Sequence, residues 1–155
     1  MAELTEGAKA PSIKLQTDTE EQFDLGALKG KNVVVYFYPK ADTPGCTVEA
    51  CEFRDNHKKI DKLDTIVVGV SPDAPKALAK FKQKFNLNFP LLADTDHKVA
   101  EAYGVWAEKS MYGKKYMGIE RTTFVIDKDG KIAKIFRKVK PAGHAEEILE
   151  AVGTI

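Results

Sequence analysis

Two cysteines, Cys46 and Cys51, are the residues whose type and spacing could carry chemistry in this sequence. They lie in the run Pro39-Lys40-Ala41-Asp42-Thr43-Pro44-Gly45-Cys46-Thr47-Val48-Glu49-Ala50-Cys51, directly after an apolar stretch at residues 33–38. Thr43 suits a helix N-cap and Pro44 the first helical position. That sets Cys46 in the first turn of a helix, behind the C-terminal end of a strand, where open α/β sheets place ligands. Unpaired N–H groups and the helix dipole there favour an anion. The thiolate is the nucleophilic form of cysteine, so the position gains reactivity.

The spacing adds a mechanical constraint. Five residues along an α-helix rise about 7.5 Å and turn about 500°, which separates the two Cα atoms by about 8.6 Å. A disulfide needs them within about 7 Å. On one regular helix the pair bonds only if at least a turn unwinds. This predicts a two-state element, intact when reduced and locally melted when oxidised. Two other readings stand beside it. Both cysteines could be buried structural thiols, since free cysteine is among the most buried residue types. A metal pair would need further ligands, and His57, His97 and His144 have no ligand spacing relative to the cysteines.

Composition bounds the class. The chain has 155 residues, 43% hydrophobic and 30% charged, long enough to bury roughly 70% of its unfolded surface. Lysine plus arginine is 24 and aspartate plus glutamate 23, a net charge of +1. That balance argues against nucleic acid or an anionic membrane as main partner. Two cysteines exclude a disulfide scaffold and a four-cysteine zinc site. The apolar run at 33–38 is far short of the roughly 20 residues of a membrane helix. The N-terminus has no basic leader followed by an apolar run. The expectation is a cytoplasmic protein, where thiols stay reduced and nearby cysteines are catalytic or metal-binding.

The elements that would position the cysteines follow from patterning. Residues 13–17 alternate weakly and read as an edge strand. Residues 31–38 and 65–70 are β-branched runs that read as central strands buried on both faces. Residues 43–63 between them read as one helix, with Glu49 and Glu52 early and Lys58, Lys59 and Lys62 late. Strand, helix, strand implies a right-handed parallel βαβ unit. Ser71-Pro72-Asp73 reads as the cap of another helix, with Leu78, Phe81, Phe85 and Leu87 as its apolar stripe. A short apolar segment at 89–92 and a short helix at 97–103 follow. Strands at 122–126 and 131–136 join through a hairpin turn in which Gly130 supplies positive φ. A helix at 143–152 closes the chain. This order is the layout of one thioredoxin-like α/β domain over residues 1–155.

Pro39-x-x-x-Thr43-x-x-Cys46 resembles the peroxidatic motif of the peroxiredoxins. Thr43-Pro44-Gly45-Cys46-Thr47, with Cys51 and Phe53-Arg54-Asp55 behind it, is similar to the bacterioferritin comigratory protein (PrxQ) branch of that family. The similarity continues through Val70-Ser71-Pro72-Asp73, Phe89-Pro90-Leu91-Leu92, Tyr103-Gly104-Val105-Trp106 and Arg121-Thr122-Thr123-Phe124, in order over nearly the whole chain. The resemblance implies a thiol peroxidase with no metal or organic cofactor. Cys46 would be the peroxidatic thiolate, oxidised by a hydroperoxide to a sulfenic acid. Cys51 would resolve it as an intramolecular disulfide. Thioredoxin or a glutaredoxin-like protein would recycle it, and the enzyme would act as a monomer.

The roles of the surrounding residues follow from that chemistry. Thr43 is expected to donate its hydroxyl, and Arg121 its guanidinium fork, to the developing negative charge. Pro39 is expected to shield the sulfur from water. Glu49, one turn after Cys46, is expected to hold Arg121. Trp106 and Tyr112 flank a loop at 111–118 that could line the active-site mouth, with Trp106 partly in the core. The three histidines are expected at the surface. Two other functions compete: a general thiol–disulfide oxidoreductase, which Cys-x4-Cys in place of Cys-x2-Cys argues against, and a non-enzymatic redox sensor or holdase.

Overall fold

The β-branched run after Lys31 forms the middle of a seven-stranded mixed sheet in the computed structural model, which describes residues 4–155 apart from the Met111 side chain. In chain order the elements are β1 (Lys14–Thr17), β2 (Gln22–Asp24), β3 (Asn32–Phe37), α1 (Pro44–Asp55), α2 (His57–Lys62), β4 (Thr65–Ser71), α3 (Pro75–Phe85), β5 (Leu91–Ala93), α4 (Lys98–Ala102), β6 (Trp106–Met111), β7 (Lys114–Ile119), β8 (Thr122–Ile126), β9 (Ile132–Phe136) and α5 (His144–Gly153). The sheet runs β2-β1-β5-β4-β3-β8-β9. β3 and β4 pair in parallel, as the βαβ reading requires, and β8 lies antiparallel on the other side of β3. One edge is the three-residue β2. The other is β9, which carries Lys134 and meets β8 through an irregularity at Val125 and Ile126. This is the expected thioredoxin-like α/β architecture.

Strand periodicity sorts the core into two faces. Val34, Tyr36 and Tyr38 point to the side covered by α1, α2, α3 and α5, where Ala50, Phe53, Phe81 and Ile148 pack. Val33, Val35 and Phe37 point to the other side, against Val99, Ala100 and Tyr103 near α4. At Gly69 on β4 a Cβ would lie 2.8 Å from the Tyr36 ring and hydroxyl, so the Tyr36 ring requires glycine there.

Four readings are corrected. The helix at 43–63 divides at Asn56, whose side-chain amide donates to the Glu52 carbonyl at 2.8 Å and competes with the helical ladder. Ser71 and Asp73 do not cap α3, whose N-cap is Ala74; the Ser71 hydroxyl donates to the Asp73 carboxylate at 2.8 Å instead. The stretch at 111–118 is not a loop. β6 and β7 form a hairpin around Tyr112 and Gly113, whose φ values of 53° and 78° suit a two-residue turn. Finally, His144 is not at the surface. It is fully buried, with Nε2 2.8 Å from Thr123 Oγ1 and Nδ1 3.2 Å from Glu147 Oε1.

Burial lowers the pKa of His144 against the opposing pull of Glu147, so the imidazole is neutral in the folded chain. The unfolded chain binds more protons as pH drops below about 6.5, so this contribution is intact above that value and lost as pH falls. Urea unfolding at pH 7.5 and 5.5 should therefore show less acid destabilisation in His144→Leu than in the wild type. Equal pH slopes would remove His144 from the acid response.

Candidate active site

The site is built at the C-terminal end of β3. The Tyr38 N–H donates to the Val70 carbonyl and extends the parallel ladder by one residue; Pro39, half-buried, then turns the chain away. The loop before α1 is pinned from below. The Ala41 N–H donates to Asp73 Oδ2 at 2.8 Å, the same oxygen that receives the Ser71 hydroxyl. Thr43 takes the extended conformation of an N-cap (φ −98°, ψ 156°), and α1 opens with Thr47 N–H donating to the Thr43 carbonyl. The Gly45 and Cys46 N–H groups precede that first rung.

Cys46 is buried in this first turn, 1% exposed. Arg121 Nη2 lies 3.2 Å from its Sγ, and Nη1 donates to Glu49 Oε1 at 2.8 Å. One guanidinium thus joins the sulfur to a carboxyl one turn further along α1. Sheet register delivers the arginine: Thr122, the first residue of β8, pairs with Phe37, the last of β3. The Val139 N–H donates to the Arg121 carbonyl at 3.0 Å and fixes its backbone.

Electrostatics separates the two partners. Burial works against the Arg121 charge, but the Cys46 and Glu49 charges outweigh it and hold its pKa above the ordinary value. Glu49 responds oppositely: burial pushes its carboxyl up to about 7, Arg121 pulls it back only in part, and Glu52 adds to the rise. The guanidinium has two partners, the sulfur and the carboxyl, whereas the buried carboxyl has one cation, so burial decides for Glu49.

Cys51 is half-buried and free, on the same unbroken helix as free Cys46. The two ends of α1 are held differently. The front end meets Arg121 through Cys46 and Glu49. The back end is tied to the body: Phe53 is in the core, Glu52 accepts the Gly143 N–H at 2.9 Å, Arg54 Nη1 donates to the Phe85 carbonyl at 2.6 Å, and Asn88 Nδ2 donates to the Arg54 carbonyl at 3.2 Å.

Cys46, Arg121 and Glu49 come together as the sequence leads one to expect. Thr43 is adjacent, but its role is revised: its hydroxyl donates to the Lys40 carbonyl at 2.8 Å, so its lone pairs, not its proton, are free for a ligand. Tyr112 stands 98% exposed at the hairpin tip, and Trp106 is partly buried and stacked on His97. From that hairpin it is Lys109 that senses the site: burial lowers its pKa, the Arg121 charge lowers it further, and Cys46 opposes. Sequence reasoning also missed Asp73 as the loop anchor. A cleft of about 670 Å³ lined by residues such as Lys14, Lys29 and Gly130 contains none of these groups. It lies at the opposite end of the sheet, beside the turn after β8.

Gly45 is a further residue whose purpose appears only in three dimensions. A Cβ there would sit 3.2 Å from Arg121 Nη2 and 3.4 Å from Pro141 Cγ. Gly45→Ala should displace the guanidinium by a few tenths of an ångström and lower activity about tenfold, since an ångström of misplacement costs about 100-fold. Alanine also favours a helix over glycine by about 1 kcal/mol. Thermal stability should therefore hold or rise while activity falls; unchanged activity would show that the guanidinium position is not critical.

Comparison with known proteins identifies the family. The AhpC/TSA family model matches residues 7–135. The chain is 52% identical over 146 residues to peroxiredoxin Bcp of Bacillus subtilis, covering 94% of this chain and 93% of that one. It is 48% identical over 149 residues to peroxiredoxin Bcp of Escherichia coli, covering 96% of each. Among solved structures, a bacterioferritin comigratory protein of Xanthomonas campestris, described for its alkyl peroxide reduction activity, superposes with a TM-score of 0.88 at 39% identity over 92% of this chain and 90% of that one. A cysteine-to-serine mutant of Xylella fastidiosa PrxQ gives 0.93 at 32% identity over 99% and 98%. With half its residues shared along nearly its full length and the same fold beneath them, the chain belongs to the AhpC/TSA family, within its Bcp/PrxQ peroxiredoxins.

Proposed function

We propose that the protein reduces hydrogen peroxide and organic hydroperoxides through Cys46 and resolves the product through Cys51. The observation that carries this reading is the 3.2 Å contact between Arg121 Nη2 and Cys46 Sγ in the first turn of α1. The guanidinium stabilises negative sulfur and stays in place to meet the charge that develops on the peroxide. The peroxide O–H donates to Thr43 Oγ1, whose own proton is occupied on the Lys40 carbonyl. Sulfur attacks the terminal oxygen: the S–O bond forms, the O–O bond breaks, and the leaving alkoxide takes a proton to become an alcohol. Pro39 and the pinned loop keep bulk water off the sulfur.

Cys46 then carries a sulfenic acid. Cys51 attacks that sulfur, water leaves, and an intramolecular disulfide remains. Because both cysteines lie on α1, this step requires its front end to unwind. A thioredoxin-like dithiol returns the pair to the reduced state by thiol–disulfide exchange, completing antioxidant turnover. The test is to treat the reduced protein with one equivalent of hydrogen peroxide or of a small aromatic disulfide and to follow free thiols. Peroxide should consume both thiols far faster than the disulfide reagent. Equal rates would make the protein a general thiol–disulfide oxidoreductase.

A further inference from the structure

The sulfur chemistry uses only one oxygen of the Glu49 carboxyl. Oε1 takes the Arg121 guanidinium, whereas Oε2 is buried and has no hydrogen-bond partner among the described residues. An anionic oxygen without a donor is costly to bury; a neutral O–H is much less so. The groups around it do not relieve that cost. Arg121, ahead of β8, pairs with the other oxygen, and Glu52 on α1 adds like charge. Tyr36 on β3 and Tyr38 just after it have their pKa values raised by burial and stay neutral. Lys109 on β6 senses Arg121 and Cys46. His144 on α5 packs on Phe53 and is neutral.

Position along the helix supplies the second half of the argument. Glu49 lies between the two cysteines, on the front end of α1, while the back end is tied to Gly143, Phe85 and Asn88. Unwinding that brings the sulfurs together falls on the front end and draws Glu49 out of its pocket, away from Arg121.

We propose that Glu49 holds a proton in the reduced protein and releases it when the Cys46–Cys51 disulfide forms, so that the couple exchanges one proton beyond those of its two sulfurs. This rests on the resolving role of Cys51 proposed above. The Cys46 thiolate, the Cys51 thiol and one carboxylic acid give a disulfide, a carboxylate, two protons and two electrons. A hydroperoxide takes both protons and both electrons to become an alcohol and water, so the Glu49 proton replaces one that solvent would otherwise supply. Burial sets the carboxyl at about 7 in the folded helix, and an exposed glutamate sits near 4.3. Between those values each unit rise in pH favours the oxidised form by a further factor of ten, about 30 mV on a two-electron couple.

The test combines midpoint potentials from pH 5 to 8 in dithiothreitol redox buffers with infrared redox-difference spectra at pH 6, on wild type, E49Q and C51S. The wild type should show the extra tenfold per pH unit below about pH 7, and E49Q should lack it. Disulfide formation should remove a protonated-carboxyl C=O band in wild type only. C51S oxidised by peroxide, unable to form the intramolecular disulfide, should keep that band. Parallel potential slopes, or an unchanged band in wild type whose thiols have been lost, would overturn the Glu49 assignment alone. Failure to form an intramolecular disulfide would overturn it together with the resolving role of Cys51. If E49Q does not fold, the break in the wild-type slope and the C51S spectra decide.

Discussion

Cys46→Ser should abolish peroxide-dependent turnover in a thioredoxin-coupled assay, whereas Cys51→Ser should retain one rapid oxidation per molecule and then stall. That pair of results is the largest effect expected from the site. A serine hydroxyl in the same first turn stays protonated at neutral pH and lacks the polarisable sulfur that attacks an O–O bond. Arg121 would keep its Glu49 contact and the fold would persist, so loss of activity with an unchanged thermal transition identifies the nucleophile. In Cys51→Ser, Arg121, Glu49 and Cys46 are untouched, so a single-turnover burst near wild-type rate is expected. A burst lost in Cys51→Ser but kept in Cys46→Ser would reverse the two assignments.

Arg121→Ala is expected to lower the second-order rate of Cys46 oxidation by about 100-fold, the usual loss when one donor to a developing charge is removed. The substitution takes away the donor 3.2 Å from the sulfur and also the partner of a buried carboxyl. Arg121→Lys separates charge from shape. An ammonium keeps the charge but cannot hold Glu49 and the sulfur with two nitrogens of one rigid plane, so it should recover only part of the rate. A loss under threefold in Arg121→Ala, measured by stopped-flow oxidation of the reduced protein, would take Arg121 out of the chemistry.

The local half of this site is legible in the sequence. Pro39, Thr43, Cys46 and Cys51 fall within one strand-to-helix junction, and helix geometry alone states that the cysteines are too far apart to bond. Arg121 is different. It lies 75 residues from Cys46 in the chain, and only the Phe37–Thr122 register brings it to the sulfur; the family resemblance points to it where periodicity does not. Gly45 is silent because its reason is the space left for a guanidinium from another element. His144 reads as a surface residue because nothing local announces that Thr123 will hydrogen-bond its ring in the core. The β6–β7 hairpin escapes because the largely exposed, lysine-bearing β7 lacks the apolar alternation that marks a half-buried strand.

The edges of the central sheet bear on how such a molecule behaves at high concentration. Each catalytic cycle is proposed to loosen the front end of α1, whose Cys46 and Ala50 pack in the core, so apolar surface would be bared repeatedly in a crowded solution. Open sheet edges would then be templates for pairing between molecules. Here one edge is the three-residue β2, and the other, β9, is irregular and carries Lys134. Short, charged and distorted edges discourage self-association, so each opening would bare apolar surface without offering a long free strand to a neighbour.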